Sequence, residues 1–186
     1  MKNFSCVEVC LVNSYLFIAP AHKSAERGLL VIKTQDSRSI SYDCDSAEKG
    51  MLLRQVLEVS GGTVSEANFN EQEYLNSLKP VLMLAGVKTI GAFYGKALSF
   101  SVYLKNSLEF TPHEYHRGGF SGRGKDTHIV LPSDASPEDI SKAIDDTLEL
   151  CIAKGGKRLA DFQKAPRLPQ NDLEASTQKV VAGKIQ

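Results

Sequence analysis

A single α+β domain is predicted, with a mainly antiparallel, twisted sheet of about six strands packed against two or three helices. Three observations predict it. Apolar runs rich in Val, Leu, Ile and aromatics open the chain, residues 98–104 alternate strictly between apolar and polar side chains, and two stretches in between and after them switch to helical spacing. With 186 residues, 42% hydrophobic and 24% charged, one core suffices to fold the chain.

The first strands are expected at 7–18 (VEVCLVNSYLFI) and 28–34 (GLLVIKT), joined by the polar stretch 19–27, with a short third strand at 38–44 in which Ile40 and Tyr42 share a face. Helix spacing then takes over. Asp45 is suited to cap a helix over 46–59, Glu48 stands where a capping-box acid would, and Met51, Leu52, Gln55, Val56 and Val59 form the expected apolar stripe before Gly61-Gly62. A second helix is expected over 70–85, capped by Asn70, with Tyr74, Leu75, Leu78, Leu82 and Ala85 inward and Pro80 kinking or splitting it.

Strand character returns from Val87 through Tyr94, followed by a hairpin over 98–113 that turns at Asn106 and Ser107. The hairpin's unlike faces favour a sheet covered by helices on one side. After a strand at 127–131, Ser136 as N-cap, Pro137 at the first helical position and Asp139 at the third start a helix whose stripe is Ile140, Ala143, Ile144, Leu148, Cys151 and Ile152. Lys154 and Gly155-Gly156 stop it. The domain is therefore set at 1–156. Residues 157–186 contain two prolines and no sustained stripe, which predicts a basic, mobile tail.

Charge and cysteine content exclude several classes. The 22 basic and 22 acidic residues cancel, so no global field gathers nucleic acid, and direct nucleic-acid binding is not the first expectation. No apolar run is long enough to span a bilayer and no secretory leader pattern opens the chain, which predicts a cytoplasmic protein that does not enter a membrane. Four scattered cysteines, Cys6, Cys10, Cys44 and Cys151, read as free thiols without a metal or cofactor.

The segment 113–126 (HEYHRGGFSGRGKD) gathers two histidines, two arginines, a lysine and four glycines, and is expected as a glycine-rich loop between strands. Gly119 to Lys125 has phosphate-loop spacing, but Asp126 replaces the required hydroxyl residue and a strand follows where a helix should. His113 and His116 supply only two metal ligands, and on a strand they face opposite ways. Two alternatives stay open: an RNA-binding module using Arg117, Arg123 and Lys125 with Tyr115 and Phe120, and a hydrolase using His113 or His116. The acidic side of the last helix, with Asp145, Asp146 and Glu149, suits either solubility or a basic partner. The candidate partner-binding residues are thus His116, Arg117, Phe120, Arg123, Asp145, Asp146 and Glu149.

The stretch Phe110 to Cys151, with Gly119-Phe120-Ser121-Gly122, the strand ending Leu131-Pro132 and the phrase Asp134-Ala135-Ser136-Pro137-Glu138-Asp139-Ile140, resembles the C-terminal half of contact-dependent growth inhibition immunity proteins. The hairpin strand Ser99 to Leu104 extends the similarity to about residues 90–151. The resemblance implies a cytoplasmic antidote that binds a toxin's C-terminal domain, often a nuclease, with no catalytic residues and no cofactor of its own.

Overall fold

Asn13 and Ser14 take φ values of 47° and 64°, the left-handed pair that a tight two-residue hairpin turn requires. A computed structural model describes residues 5–24, 30–32, 36–64 and 71–163. The strands are β1 (Ser5–Val12), β2 (Tyr15–Ser24), β3 (Leu30–Ile32), β4 (Arg38–Ser41), β5 (Thr63–Val64), β6 (Ala97–Leu104), β7 (Ser107–His116), β8 (Gly119–Gly122) and β9 (Ile129–Pro132). The helices are α1 (Ser46–Val59), α2 (Glu71–Leu84), α3 (Ile90–Phe93), α4 (Pro137–Leu150) and α5 (Leu159–Gln163).

The sheet runs β3-β2-β1-β6-β7-β8, with β4 and β5 also on β2 and β9 also on β7. All pairings between these strands are antiparallel except β2 with β5. The expected α+β domain is what forms, but its first run is not one strand. The stretch 7–18 folds back on itself at Asn13-Ser14, and β2 continues to Ser24 through residues expected to be loop. The third strand stops at Ser41.

One face of the sheet supports the larger core. Val7, Val9 and Leu11 of β1, Leu16 and Ile18 of β2, Leu98, Phe100 and Val102 of β6, and Leu108 and Phe110 of β7 pack against α1 and α4. Burying a side chain the size of Phe100 or Phe110 contributes about 2–3 kcal/mol, so this face carries most of the apolar stabilisation. Of the stripe expected on α4, Ile140, Ala143, Ile144, Leu148 and Cys151 are all at most 2% exposed, but the helix ends at Leu150, before the expected stop at Lys154 and Gly155-Gly156. The chain turns extended at Cys151, and the half-buried Ile152 pairs with Glu114 of β7. Ser136 accepts the Asp139 N–H and Pro137 opens the helix. On α1 the boundaries also hold and Asp45 accepts the Ala47 N–H, yet the inward face is turned from the expected one. Met51 and Val59 are exposed, while Lys49, Gly50, Leu53, Val56 and Leu57 are buried. The reason is the helix pair. A Cβ at Gly50 would collide with the Pro137 carbonyl, so α1 meets α4 backbone to backbone there, and Lys49 reaches Asp145 across the seam.

The opposite face is not left bare, contrary to the expectation of helices on one side. Cys10, Val12, Phe17, Ala19 and Ala97 are covered by Val81, Leu84 and Ala85 of α2 and its exit turn, and by Phe93 of α3. The helix α2 is continuous through Pro80, and Asn70 lies outside the described residues. The expected strand over 87–94 is replaced by α3, because the Thr89 hydroxyl accepts the Ala92 N–H and starts a helical turn. Ordered structure continues past residue 156. Leu159 of α5 is 1% exposed and joins the larger core, whereas 164–186 lie outside the described residues.

Gly50→Ala should lower the urea midpoint by the equivalent of about 1–3 kcal/mol, since the added methyl meets backbone that cannot swing aside. Ser136→Ala should cost about 1 kcal/mol through the lost cap. Parental stability in Gly50→Ala would show that α1 and α4 do not approach as described.

Candidate functional site

Strand alternation places Glu8, Ser99, Ser101 and His113 on the face away from α1 and α4, because Glu8 is paired with Ser101 and Cys10 with Ser99 in the β1–β6 register. The Ser99 and Ser101 hydroxyls donate to Glu8 Oε1 and Oε2 at 2.5 and 2.9 Å. His113 Nδ1 lies 3.2 Å from both Ser99 Oγ and Glu8 Oε1, and Nε2 lies 2.9 Å from Ser101 Oγ. The set has the membership of a nucleophile, base and acid, but its hydrogen bonds run the wrong way. With its hydroxyl hydrogen donated to Glu8, Ser101 can only accept from His113, so the ring does not activate it. Ser101 and Ser99 are also 5% and 0% exposed, closed to a substrate. The arrangement ties three strands together through a satisfied polar network. A hollow of about 410 Å³ lined by Tyr103, Lys105, Asn106, Ser107 and Glu109 sits at the β6–β7 turn rather than over this set.

Most of the stretch 113–126 is a β-hairpin rather than a connecting loop: residues 113–122 form paired strands, and a 3-10 turn follows at Lys125–Thr127. Arg117 and Gly118, with φ of 43° and 96°, form its turn, and β8 pairs with β7 from His113–Gly122 to His116–Gly119. The turn needs two left-handed residues, and Gly118 supplies the easier of them. His116 is exposed while His113 is buried, as their opposite faces require. Among the described residues no group of three or more His, Cys, Asp or Glu could hold a metal.

The predicted partner-binding residues divide into engaged and exposed. Phe120 is half-buried and edge-on to Tyr94 and Phe93, with centroids 5.1 and 6.5 Å away. Arg123 Nη1 donates to the carbonyl of Leu150 at 2.6 Å, where a cation offsets the negative end of α4, and its Nε lies 3.9 Å from Glu114. Asp145 accepts two bonds from Lys49 Nζ at 2.8 and 2.9 Å, and Lys49 also sits over the Tyr42 ring. Burial, with Asp145 next to it, pushes the Tyr42 phenol up. Asp146 pairs with Lys142 at 2.6 Å. His116, Arg117 and Glu149 are exposed. Sequence reasoning passed over Glu8, although a carboxylate inside the apolar run VEVCLV was the available signal.

Burial pushes the Cys6 and Cys151 thiols up to about 12 and the buried Cys10 thiol further up, leaving them as unreactive thiols at neutral pH. Cys44 is half-buried and raised less decisively. At pH 8 an aromatic disulfide reagent should therefore label the native chain first and fastest at Cys44, with the other three thiols titrating only after denaturation. Rapid modification of Cys10 or Cys151 in the folded state would contradict the described packing.

Residues 63–151 match a family model described as CDI immunity protein. No curated protein is significantly similar in sequence. Two solved structures share the fold. A protein of unknown function from Neisseria meningitidis is 18% identical, with a TM-score of 0.69 over 81% of this chain and 97% of that one. A chain of a CdiA-CT/CdiI toxin and immunity complex from Yersinia pseudotuberculosis is 13% identical, with a TM-score of 0.64 over 80% of this chain and 97% of that one. By sequence over 63–151, a span that includes β6 to β9 and α4, the chain matches the CDI immunity protein family.

Proposed function

We propose that this chain acts in the cytoplasm as an immunity protein, binding the C-terminal domain of a contact-dependent growth inhibition toxin and neutralising it. The family match over residues 63–151 carries the reading, and the fold shared with a chain of a toxin and immunity complex supports it. Immunity proteins of this family are non-catalytic. That agrees with a Ser/His/Glu set whose protons stitch strands together and whose serines no substrate can reach. A binder also gains from rigidity, because a surface already held in its bound shape loses less conformational freedom on association.

The hydrolase reading finds no support at His113, and the RNA reading is weakened by commitments inside the fold. Arg123 is engaged at the end of α4, and the ring of Phe120 is packed edge-on rather than offered for base stacking.

Bacteria producing the C-terminal domain of the toxin encoded immediately upstream should stop growing, and co-production of this chain should restore growth. The two purified proteins should elute together from a size-exclusion column. Growth arrest that persists with the chain present, combined with separate elution, would reject the proposal.

A further inference from the structure

Three segments far apart in sequence converge beside the β7–β8 hairpin: 93–96 at the end of α3, 115–120 at the hairpin itself, and the strap 152–157 that follows α4. The Lys154 amide donates to the Tyr94 carbonyl at 2.9 Å, and Lys157 Nζ donates to the Gly95 carbonyl at 3.1 Å. Tyr94 packs against Tyr115 and Phe120, with centroids 5.4 and 5.1 Å away. Lys154 Nζ stands 5.7 Å from the centre of the Tyr115 ring, a cation–π contact. Gly155 and Gly156, with φ of 82° and 73°, make the tight turn that brings Lys157 back, and the Ala153 N–H donates to the Lys157 carbonyl to close it.

These segments contain Lys96, Arg117, Lys154 and Lys157, all exposed, on a chain whose formal net charge is zero; the adjoining acid, Glu114, which pairs with Ile152 of the strap, has its carboxylate 3.9 Å from Arg123. The cations that are hydrogen-bonded here are held by backbone carbonyls and a ring, which orient them without cancelling their charge. A flexible lysine loses rotamer freedom when it binds an anion; Lys154 and Lys157 are already restrained. From this convergence we infer that the patch of Lys96, Arg117, Lys154 and Lys157 around Tyr94 and Tyr115 is an interaction surface for an acidic segment of the toxin domain. The inference rests on the proposed immunity function and adds where, and with what charge, the partner meets this chain. A protein segment suits the patch better than RNA. Tyr94 and Phe120 meet at 87° and Phe93 and Phe120 at 83°, while Lys154 stands over Tyr115, so the rings are packed against their neighbours instead of forming an open stacking platform.

The test is calorimetric and stopped-flow binding of the purified full chain to the C-terminal domain of the toxin encoded upstream. The double reversal K154E/K157E should weaken binding about tenfold, mainly by slowing association, and should flatten its dependence on salt. K105E, at the other end of β6, should bind like the parent. Because Lys157 also bonds the Gly95 carbonyl, the neutral pair K154Q/K157Q is measured beside it with thermal melts of all variants; a smaller loss of affinity at an unchanged melting temperature is expected. Parental affinity in both double variants overturns this surface while leaving the immunity function standing. Loss of binding to a mixed RNA, with toxin affinity unchanged, overturns it in favour of nucleic acid. A parent chain that does not bind the toxin domain at all removes the immunity function, and this surface with it.

Discussion

The seam between β1 and β6 is the constraint on which the other elements depend. β1 is paired along its length on both sides, from Ser5–Leu104 to Val12–Ala97 with β6 and from Cys6–Ala21 to Val12–Tyr15 with β2. Strand side chains alternate, so this position sends Val7, Val9 and Leu11 toward α1 and α4 and Glu8 and Cys10 toward the other face. A slip of one residue would exchange the two sets and bury Glu8 in an apolar core, which the unpaired carboxylate could not tolerate. The bonds from Ser99 and Ser101 to Glu8 therefore do more than satisfy a half-buried acid. They distinguish the native register from its neighbours. The seam joins residues on either side of α1, α2 and α3, so it forms only after a long loop closes, and folding should be slow for the chain's size.

That dependence explains which elements could be read in the residues alone. Strands and helices whose pattern is set by a single burying face were legible: 98–104 alternates because one side meets the larger core, and α4 carries both its cap and its stripe in consecutive sequence. The hairpin at Asn13-Ser14 was hidden because apolar residues flank the turn on both sides, β1 and β2 each being buried on both faces for much of their length. The face of α1 was misread for a different reason. Its position is decided by contact with Pro137, 87 residues away, where a glycine counts as an inward residue and a lysine is buried because an aspartate meets it. Hydrophobic spacing carries no trace of either. Residues 113–126 read as loop because glycine content outweighs alternation, although Arg117-Gly118 is turn chemistry and Tyr115 and Phe120 are cross-strand partners.

The candidate site was legible in the same uneven way. The segment that stood out, 113–126, does lie at the surface beside β6 and β7, but its most conspicuous residues have duties within the fold: His113 in the Glu8 network, Phe120 in the second core and Arg123 at the end of α4. Sequence proximity gathered them without showing what each would touch. The residues that complete the neighbouring surface, Lys154 and Lys157, looked like a helix stop and the beginning of a tail. Their importance depends on the strap folding back onto Tyr94 and Gly95, a contact across some 60 residues.

Charge distribution follows from these contacts more than from composition. Acids on α4 that suggested a surface for a basic partner are partly neutralised at home, since Asp145 holds Lys49 and Asp146 holds Lys142. A field acting on a partner arises from charges that remain uncompensated, because a close opposite charge turns a monopole into a dipole whose influence falls off within a few ångströms. The lysines of the strap have carbonyls and a ring for neighbours, which fix direction and leave the monopole intact. A chain with no net charge can in this way present two unlike faces: an acidic helix on which Asp145 is engaged at the α1–α4 seam and Asp146 by Lys142 of the same helix, and a basic patch whose cations are exposed. Electrostatic recognition here depends on which ions the fold has already paired, and a count of acidic and basic residues could not reveal that.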